Sequence, residues 1–253
     1  MDMEVFGKSI KGRRDTNQDK IFYEEKSGAF IMAVADGVGG NYGGETASKI
    51  AISQCKKIFH EFVKNPDEYN MKRSLQAIND NARRAISEAI AGKPILKNMG
   101  TTLTVVLGTK NYYVVGNIGD SRTYLNSGNR FQQLTHDHSY LNEYAEKFPE
   151  QEIDAVMKKQ LKHIITRSIT AQENKMDIFP GDRPFFQLQD GDRLLLCSDG
   201  LLPDKLNDNG EDLQTIIKNN KSTESAVKKL VEFAYEEGSR DNISVIIGNF
   251  YEK

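Results

Sequence analysis

An α+β layered fold is predicted for this chain by two observations: hairpin-spaced runs of β-branched and aromatic residues, and two long amphipathic stretches placed consecutively between such runs. Regular alternation of strand and helix, the mark of a doubly wound parallel sheet, is absent. The 253 residues match the size at which a single core stops growing, so one domain spanning 1–253 is expected. With 38% apolar and 28% charged residues, the chain carries enough apolar material for a sizeable core.

The first strand is read from residues 28 to 40, GAFIMAVADGVGG, an apolar run that stops at Asp36-Gly37 and enters a glycine-rich turn. From Glu45 onward Ala47, Ile50, Ala51, Cys55, Ile58, Phe59 and Phe62 recur at spacings of three and four, which predicts a helix with one stripe on the core. A second helix follows Pro66, with Met71, Leu75, Ile78, Ala82, Ile86 and Ala89 as its stripe and Gly92 and Pro94 as stop signals. Residues 101–135 alternate β-branched and aromatic runs with turn signals, which predicts an antiparallel meander. Residues 138 to 165 are polar and helix-prone, with Ile153, Val156, Met157 and Leu161 as a weak stripe, and read as a surface insertion. The segment DRLLLCSDGLL, a helix near Ala226 to Tyr235, and DNISVIIGNF then return to the core.

Charge excludes some functions. Lys and Arg number 34 against 36 Asp and Glu, a net of −2, so no global positive field exists to draw nucleic acid or an anionic membrane. No stretch approaches the ~20 apolar residues that span a bilayer, and the first residues lack a signal-like apolar core. A cytoplasmic location is expected. Cys55 and Cys197 fit a reducing compartment and read as buried thiols.

The aspartates carry the chemical signal. Asp36 follows FIMAVA, Asp120 follows YYVVGNIG, Asp199 follows LLLCS, and Asp241 precedes ISVII. Asp-Gly and Gly-Asp pairs are ordinary turn chemistry taken singly. Four aspartates stand at the ends of apolar strands, and if those ends meet, several carboxylates converge at one edge of a buried sheet, where repulsion and desolvation oppose ionisation. A divalent cation removes that penalty, and an all-oxygen donor set favours Mg²⁺ or Mn²⁺ over zinc. Such an ion can generate a nucleophilic water near neutral pH. Arg14, in GRRDTNQD, lies just before Asp19 and suits bidentate capture of a phosphate, with Arg13 an alternative for the same role.

These residues fall in ordered blocks: Arg14-Asp15-Thr16-Asn17-Gln18-Asp19, Ala35-Asp36-Gly37-Val38-Gly39-Gly40 with Gly44-Glu45, Gly100-Thr101-Thr102, Asn117-Ile118-Gly119-Asp120-Ser121-Arg122, Asp137-His138-Ser139, Ile165-Thr166-Arg167-Ser168, Ser198-Asp199-Gly200-Leu201 and Arg240-Asp241-Asn242-Ile243-Ser244. Together they resemble the bacterial-type branch of the type 2C metal-dependent serine/threonine protein phosphatases, along nearly the whole chain. The resemblance implies a central β-sandwich of two antiparallel sheets flanked by helices on both faces. It implies that Asp36 bridges two metals, that Gly37 offers its carbonyl to the second, and that Asp199 and Asp241 complete the first. Asp19 would act through a water, Asp120 would join Asp199 at a weaker third metal, Arg14 would bind phosphate, and residues 138–165 would form a flap. Phosphorylated proteins are the implied partners, along with a serine/threonine kinase sharing those substrates, and a monomer is expected.

Two positions depart from the family pattern. Gln18 replaces an acid, and Val38 stands where animal-type members have a histidine, so the departing oxygen would take its proton from water or a metal-bound water. The rival from another class is a phosphatase-like binding module without activity.

Other catalytic signatures fail. GGNYGGET at 39–46 has phosphate-loop glycine spacing but Glu45 at the lysine position. Gly119-Asp120-Ser121 has no Asp-x-x-His to accompany it as a serine hydrolase. A cysteine phosphatase needs arginine six residues after the thiol, where Pro203 and Glu61 stand. His136 and His138 read as exposed loop histidines rather than a metal cluster. Tyr112, Tyr113 and Phe131 read as sheet packing.

Overall fold

The computed structural model describes residues 1–91, 93–203 and 210–252, excluding the side chains at 40–42, 94 and 155. The first part supplies β1 (Asp2–Ile10), β2 (Lys20–Lys26), β3 (Ala29–Ala35), the two-residue β4 (Gly37–Val38), α1 (Gly40–Phe62) and α2 (Met71–Ala91). The middle supplies β5 (Gly100–Thr101), β6 (Leu103–Thr109), β7 (Tyr112–Ile118), β8 (Arg122–Ser127), β9 (Arg130–Gln133), α3 (Tyr140–Lys147) and α4 (Ala155–Lys162). The remainder supplies β10 (Asp177–Phe179), β11 (Phe186–Gln187), β12 (Arg193–Cys197), α5 (Glu211–Asn219), α6 (Thr223–Glu236) and β13 (Ile243–Tyr251).

Among the described residues two large antiparallel sheets form, beside a short antiparallel pair of β4 and β5. One has five strands in the order β1-β13-β12-β8-β9, and the other six, with β10-β7-β6-β3-β2 in line and β11 also paired to β7. Strand alternation explains the stacking. In β3, Phe30, Met32 and Val34 point between the sheets, against Leu194, Leu196 and Ile246. Their neighbours Ala29, Ile31, Ala33 and Ala35 point the other way, onto Phe59, Leu75 and Ile78 of α1 and α2. Leu195, Cys197, Val245 and Ile247 on the outer face of the five-stranded sheet meet Val227, Leu230 and Ala234 of α6. A strand covered on both faces reads as an unbroken apolar run, which is why FIMAVA and LLLC carry no polar alternation. The layers are therefore helix, sheet, sheet, helix, as the resemblance implies.

Several readings need correction. Helix α1 begins at Gly40 rather than Glu45, with Gly39 at φ +116° preceding it. The glycines that look like a loop form its first turn, because Gly43 and Gly44 pack against Met99 and Gly37 too closely for a side chain. The expected meander is also broken: β7 and β8 lie in different sheets, and the chain crosses between them at Gly119-Asp120-Ser121. Gly119 adopts φ +105° there, a conformation that only glycine takes easily. Gly92, one expected helix stop, lies outside the described residues. Strands β1 and β2 and helix α5 have no sequence expectation. Strand β1 hides its period behind Asp2, Glu4 and Lys8, yet it pairs with β13 along its whole length.

Cys55 and Cys197 are buried and unpaired, as expected. Burial pushes each thiol up to about 12, so neither is a ready nucleophile. Tyr113 stacks on Phe186, Tyr112 packs on Phe185, and Phe131 stacks on Tyr124, all within sheet packing. Among the described residues no helix is long and apolar enough to cross a membrane.

Ile246 is fully buried between the sheets. Its replacement by Ala should cost about 3 kcal/mol, through lost apolar burial and the cavity left behind. In urea unfolding the midpoint should fall with the slope unchanged; an unaltered midpoint would show that the two sheets do not share this core.

Candidate metal and phosphate site

The sandwich ends in a cavity of about 870 Å³, lined by Arg14, Asp36, Gly37, Asp120, Asp199 and Asp241 among others. Each aspartate arrives from a different element. Asp36 leaves β3, Asp120 sits at the crossing from β7 to β8, Asp199 opens a single 3₁₀ turn (Asp199–Leu201) after β12, and Asp241 lies just before β13.

Backbone bonds fix these positions. The Asp36 N–H donates to Thr102 Oγ1 at 3.0 Å, while the Thr101 hydroxyl and the Thr102 N–H both donate to the Asp36 carbonyl at 2.8 Å. Gly37 packs on Gly44 so closely that a Cβ would lie 2.2 Å from the Gly44 carbonyl oxygen. A Cβ on Gly200 would lie 1.9 Å from the Asn242 carbonyl oxygen, so the 199–201 turn packs directly on the segment carrying Asp241.

Asp19 lies beneath the cavity, 1% exposed. Its Oδ2 accepts from the hydroxyls of Ser198 at 2.8 Å and Ser244 at 2.6 Å. Its Oδ1 is buried without a hydrogen-bond partner, and so are Asp120 Oδ1 and Asp199 Oδ1. Orphaned carboxylate oxygens in a buried place are costly unless something else satisfies them. A hard divalent cation fits this donor set of carboxylates and a backbone carbonyl. Among the described residues no three acidic, histidine or cysteine side chains close into a ready-made cage. Hard ions that keep several waters do not need one.

At the rim, Arg14 donates through Nη2 to Asp241 Oδ2 at 2.7 Å and through Nε to the Arg240 carbonyl at 3.0 Å. Arg13 turns away: it donates to the Tyr235 carbonyl and lies over that tyrosine's ring. Of the two arginines, Arg14 is the one on the cavity.

The protein phosphatase 2C family model matches residues 6–244. The chain belongs to the protein phosphatase 2C family. It is 31% identical over 246 residues to the serine/threonine phosphatase stp of Listeria welshimeri, covering 94% of this chain and 92% of that protein. It is 30% identical over 244 residues to the protein phosphatase PhpP of Streptococcus pneumoniae, covering 95% and 94%. The crystal structure of the catalytic domain of the serine/threonine protein phosphatase PstP, in complex with two manganese ions, superposes with a TM-score of 0.83 at 26% identity, covering 99% of both chains.

In this phosphatase 2C chain the clustered acids titrate abnormally. Burial chiefly, with the Asp199 and Asp241 charges adding, pushes Asp19 up to about 6, despite the two serine hydroxyls. Burial and then the Asp19, Asp199 and Asp120 charges raise Asp36 well above the carboxylate range. Burial and then Asp199 do the same for Asp120, and burial and then Asp241 raise Asp199.

Some supporting residues carry no expected role from sequence. Asn242 accepts the Gln18 N–H on Oδ1 at 2.8 Å and donates to the Lys11 and Thr16 carbonyls, tying the first acidic segment to the last. Ser198 directly follows the apolar β12 and Ser244 interrupts the apolar run of β13, which is the signal that could have found them. His138 corrects an expectation: it is 1% exposed, not an exposed loop histidine, although His136 is exposed. Lys159, His163 and Ile165, from the polar insertion, line one wall of the cavity.

A carboxyl whose pKa is raised on folding stabilises the protein below its unfolded value, and that stability is lost as pH rises through the folded value. With Asp19 at about 6 and Asp36, Asp120 and Asp199 all raised, the chain in chelator should lose stability between pH 5 and pH 7. Its unfolding temperature should fall by about 5–10 °C across that window. Manganese should abolish the fall and Asp36→Asn should shrink it. A flat profile in chelator would contradict the clustering.

Proposed function

We propose that this chain hydrolyses phosphoserine and phosphothreonine monoesters of other proteins with the help of two divalent cations, manganese or magnesium, and a weaker third. The observation that carries the reading is one cavity lined by Asp36, Asp120, Asp199 and Asp241, with Asp19 beneath it, three orphaned carboxylate oxygens and Arg14 at its mouth. The serine/threonine phosphatases to which the chain is similar over more than nine-tenths of its length support it.

In this reading Asp36, the Gly37 carbonyl, Asp199 and Asp241 would hold two ions, Asp19 would support them through water, and Asp120 with Asp199 would hold the weaker third. When bound, the cations supply a nucleophilic water near neutral pH and neutralise charge on the phosphoryl oxygens. The chain's own residues do the rest. Arg14 captures the phosphate with guanidinium donors beyond the two that hold Asp241 and the Arg240 carbonyl. The Thr101-Thr102 bonds keep Asp36 from swinging, so the charge is preorganised rather than recruited. Val38, on the cavity wall, offers no proton, so the departing oxygen would be protonated by water, free or held in the site.

The insertion at 138–165 acts as a flap beside the mouth, and residues 1–253 act as one catalytic domain. The chain works in the cytoplasm as a monomer, opposing a serine/threonine kinase that shares its substrates. Relatives named serine/threonine phosphatases support phosphorylated proteins as its substrates.

Asp36→Asn and Asp241→Asn should each lower manganese-dependent hydrolysis of an aryl phosphate ~10²-fold or more, as for comparable losses of preorganised charge. Unchanged turnover in either variant would remove these aspartates from the reaction. If the wild-type chain binds manganese yet releases no phosphate from aryl phosphate or phosphothreonine peptide, the inactive binding module is the correct reading.

Arg14→Ala should raise KM for a phosphothreonine peptide about tenfold, as expected for the loss of a charge-assisted contact of 1.5–3 kcal/mol that is partly exposed. An unchanged KM and kcat would show that the guanidinium serves Asp241 alone.

A further inference from the structure

We propose that His138 is a positioning residue for Asp120: its ring and its backbone N–H clamp the Gly119 peptide from both sides and so aim the carboxylate that follows. The inference rests on the reading above that Asp120 faces a cation.

The Gly119 N–H donates to His138 Nδ1 at 3.0 Å, and the His138 N–H donates back to the Gly119 carbonyl at 3.0 Å. Asn117 Nδ2 adds a bond to the same carbonyl at 3.2 Å. On the other side Thr102 blocks retreat, since a Cβ on Gly119 would lie 2.5 Å from its methyl. Gly119 is thus held at its N–H and at its carbonyl, in the two successive peptide units where the chain passes between sheets. The clamp matters for Asp120 because Asp120 Oδ1 has no hydrogen-bond partner. With that oxygen untethered, the direction of the carboxylate follows from where its backbone is placed.

The ring's tautomer is determined by the same contacts. Nδ1 accepts from a peptide N–H and therefore carries no proton, which leaves the proton on Nε2. Nε2–H donates to Asp177 Oδ2 at 2.9 Å, and Arg167 in turn donates to Asp177 at 3.1 and 3.4 Å. This is the arrangement in which a carboxylate orients an imidazole that orients something else. The ring is wholly buried, so no water competes for either nitrogen. The base of the insertion closes on the same residue, with the Thr166 N–H donating to the His138 carbonyl at 2.9 Å.

A buried histidine that only fills space would tolerate replacements according to volume and stability. A clamp discriminates by which nitrogen is mimicked. In His138→Asn the amide oxygen can stand where Nδ1 stands and keep the Gly119 bond. In His138→Gln the longer amide reaches Asp177 and loses Gly119.

The test compares wild type, His138→Asn and His138→Gln as full chains. It measures the manganese dependence of aryl phosphate hydrolysis, direct manganese binding by electron paramagnetic resonance, and exchange of the Gly119 amide proton. His138→Asn should stay within about threefold of wild type in the manganese required. His138→Gln should need about tenfold more, the usual scale for losing an outer support of a metal ligand, with KM for the aryl phosphate unchanged. Gly119 exchange should quicken only in His138→Gln.

Wild-type manganese dependence in folded His138→Gln, or equal weakening in both variants, overturns the proposal. If neither variant folds, nitrogen spectra of the wild-type ring decide: a proton on Nδ1 overturns it, and a proton on Nε2 supports it. A wild-type chain that binds no manganese would defeat the metal reading, yet the Gly119 exchange contrast and the ring tautomer would still report on the clamp.

Discussion

The mutual repulsion of buried carboxylates is the constraint around which the rest of this molecule is arranged. Five aspartates share one end of the sandwich, and four of them have pKa values raised first of all by burial. For Asp19 alone, a displacement from 3.8 to about 6 corresponds to about 3 kcal/mol against the ionised form. Repeated over several groups, that becomes a large part of the 5–15 kcal/mol by which a domain is ordinarily stable. A fold that tolerates such a cluster must have reserves elsewhere and a counter-charge at the cluster itself.

The reserves lie in the two-sided burial of the central strands. Because β3, β6, β12 and β13 are covered on one face by helices and on the other by the opposing sheet, nearly every side chain they carry is removed from water. Their ends are correspondingly rigid, which is what a charge cluster needs if it is not to relax apart. The polar supports serve the same end. Thr101 and Thr102 hold the Asp36 backbone, Ser198 and Ser244 hold one oxygen of Asp19, and Asn242 binds the segment before β2 to the segment before β13. Each is itself buried, so each bond works in a medium where an unmade one would be expensive.

The acids themselves were legible because their chemistry is local. An aspartate directly after an apolar run is conspicuous, and Asp36, Asp120, Asp199 and Asp241 all line the one cavity. The helix stripes were legible for the same reason: Met71, Leu75, Ile78, Ala82 and Ile86 are all buried. What escaped depends on partners far away in the chain. Strand β1 is defined by pairing with β13, more than 230 positions later, and its own polar residues conceal the period. The break between β7 and β8 is invisible in a sequence that simply continues to alternate, since only the φ of Gly119 records the crossing. His138 was misread for a related cause. A histidine beside Asp137 in a polar stretch looks solvated, and its burial comes from Gly119 and Asp177, which no local pattern joins to it.

Arg14 shows how one side chain answers two demands of the cluster. Its ion pair with Asp241 is half open to solvent, with Arg14 58% and Asp241 35% exposed, so the pair adds little to stability by itself. Its value is positional. The Nε bond to the Arg240 carbonyl fixes the plane of the guanidinium, and an arginine has five N–H donors of which two are engaged here. A lysine in its place would present a single point charge and could not hold Asp241 and an incoming phosphate in a defined geometry together. Arg13 confirms the distinction by contrast, because its guanidinium is consumed on Tyr235 and leaves the cavity to its neighbour. The cation at the mouth and the anions beneath it thus form one electrostatic unit. Removing negative charge from the floor should also loosen the arginine that rests on it.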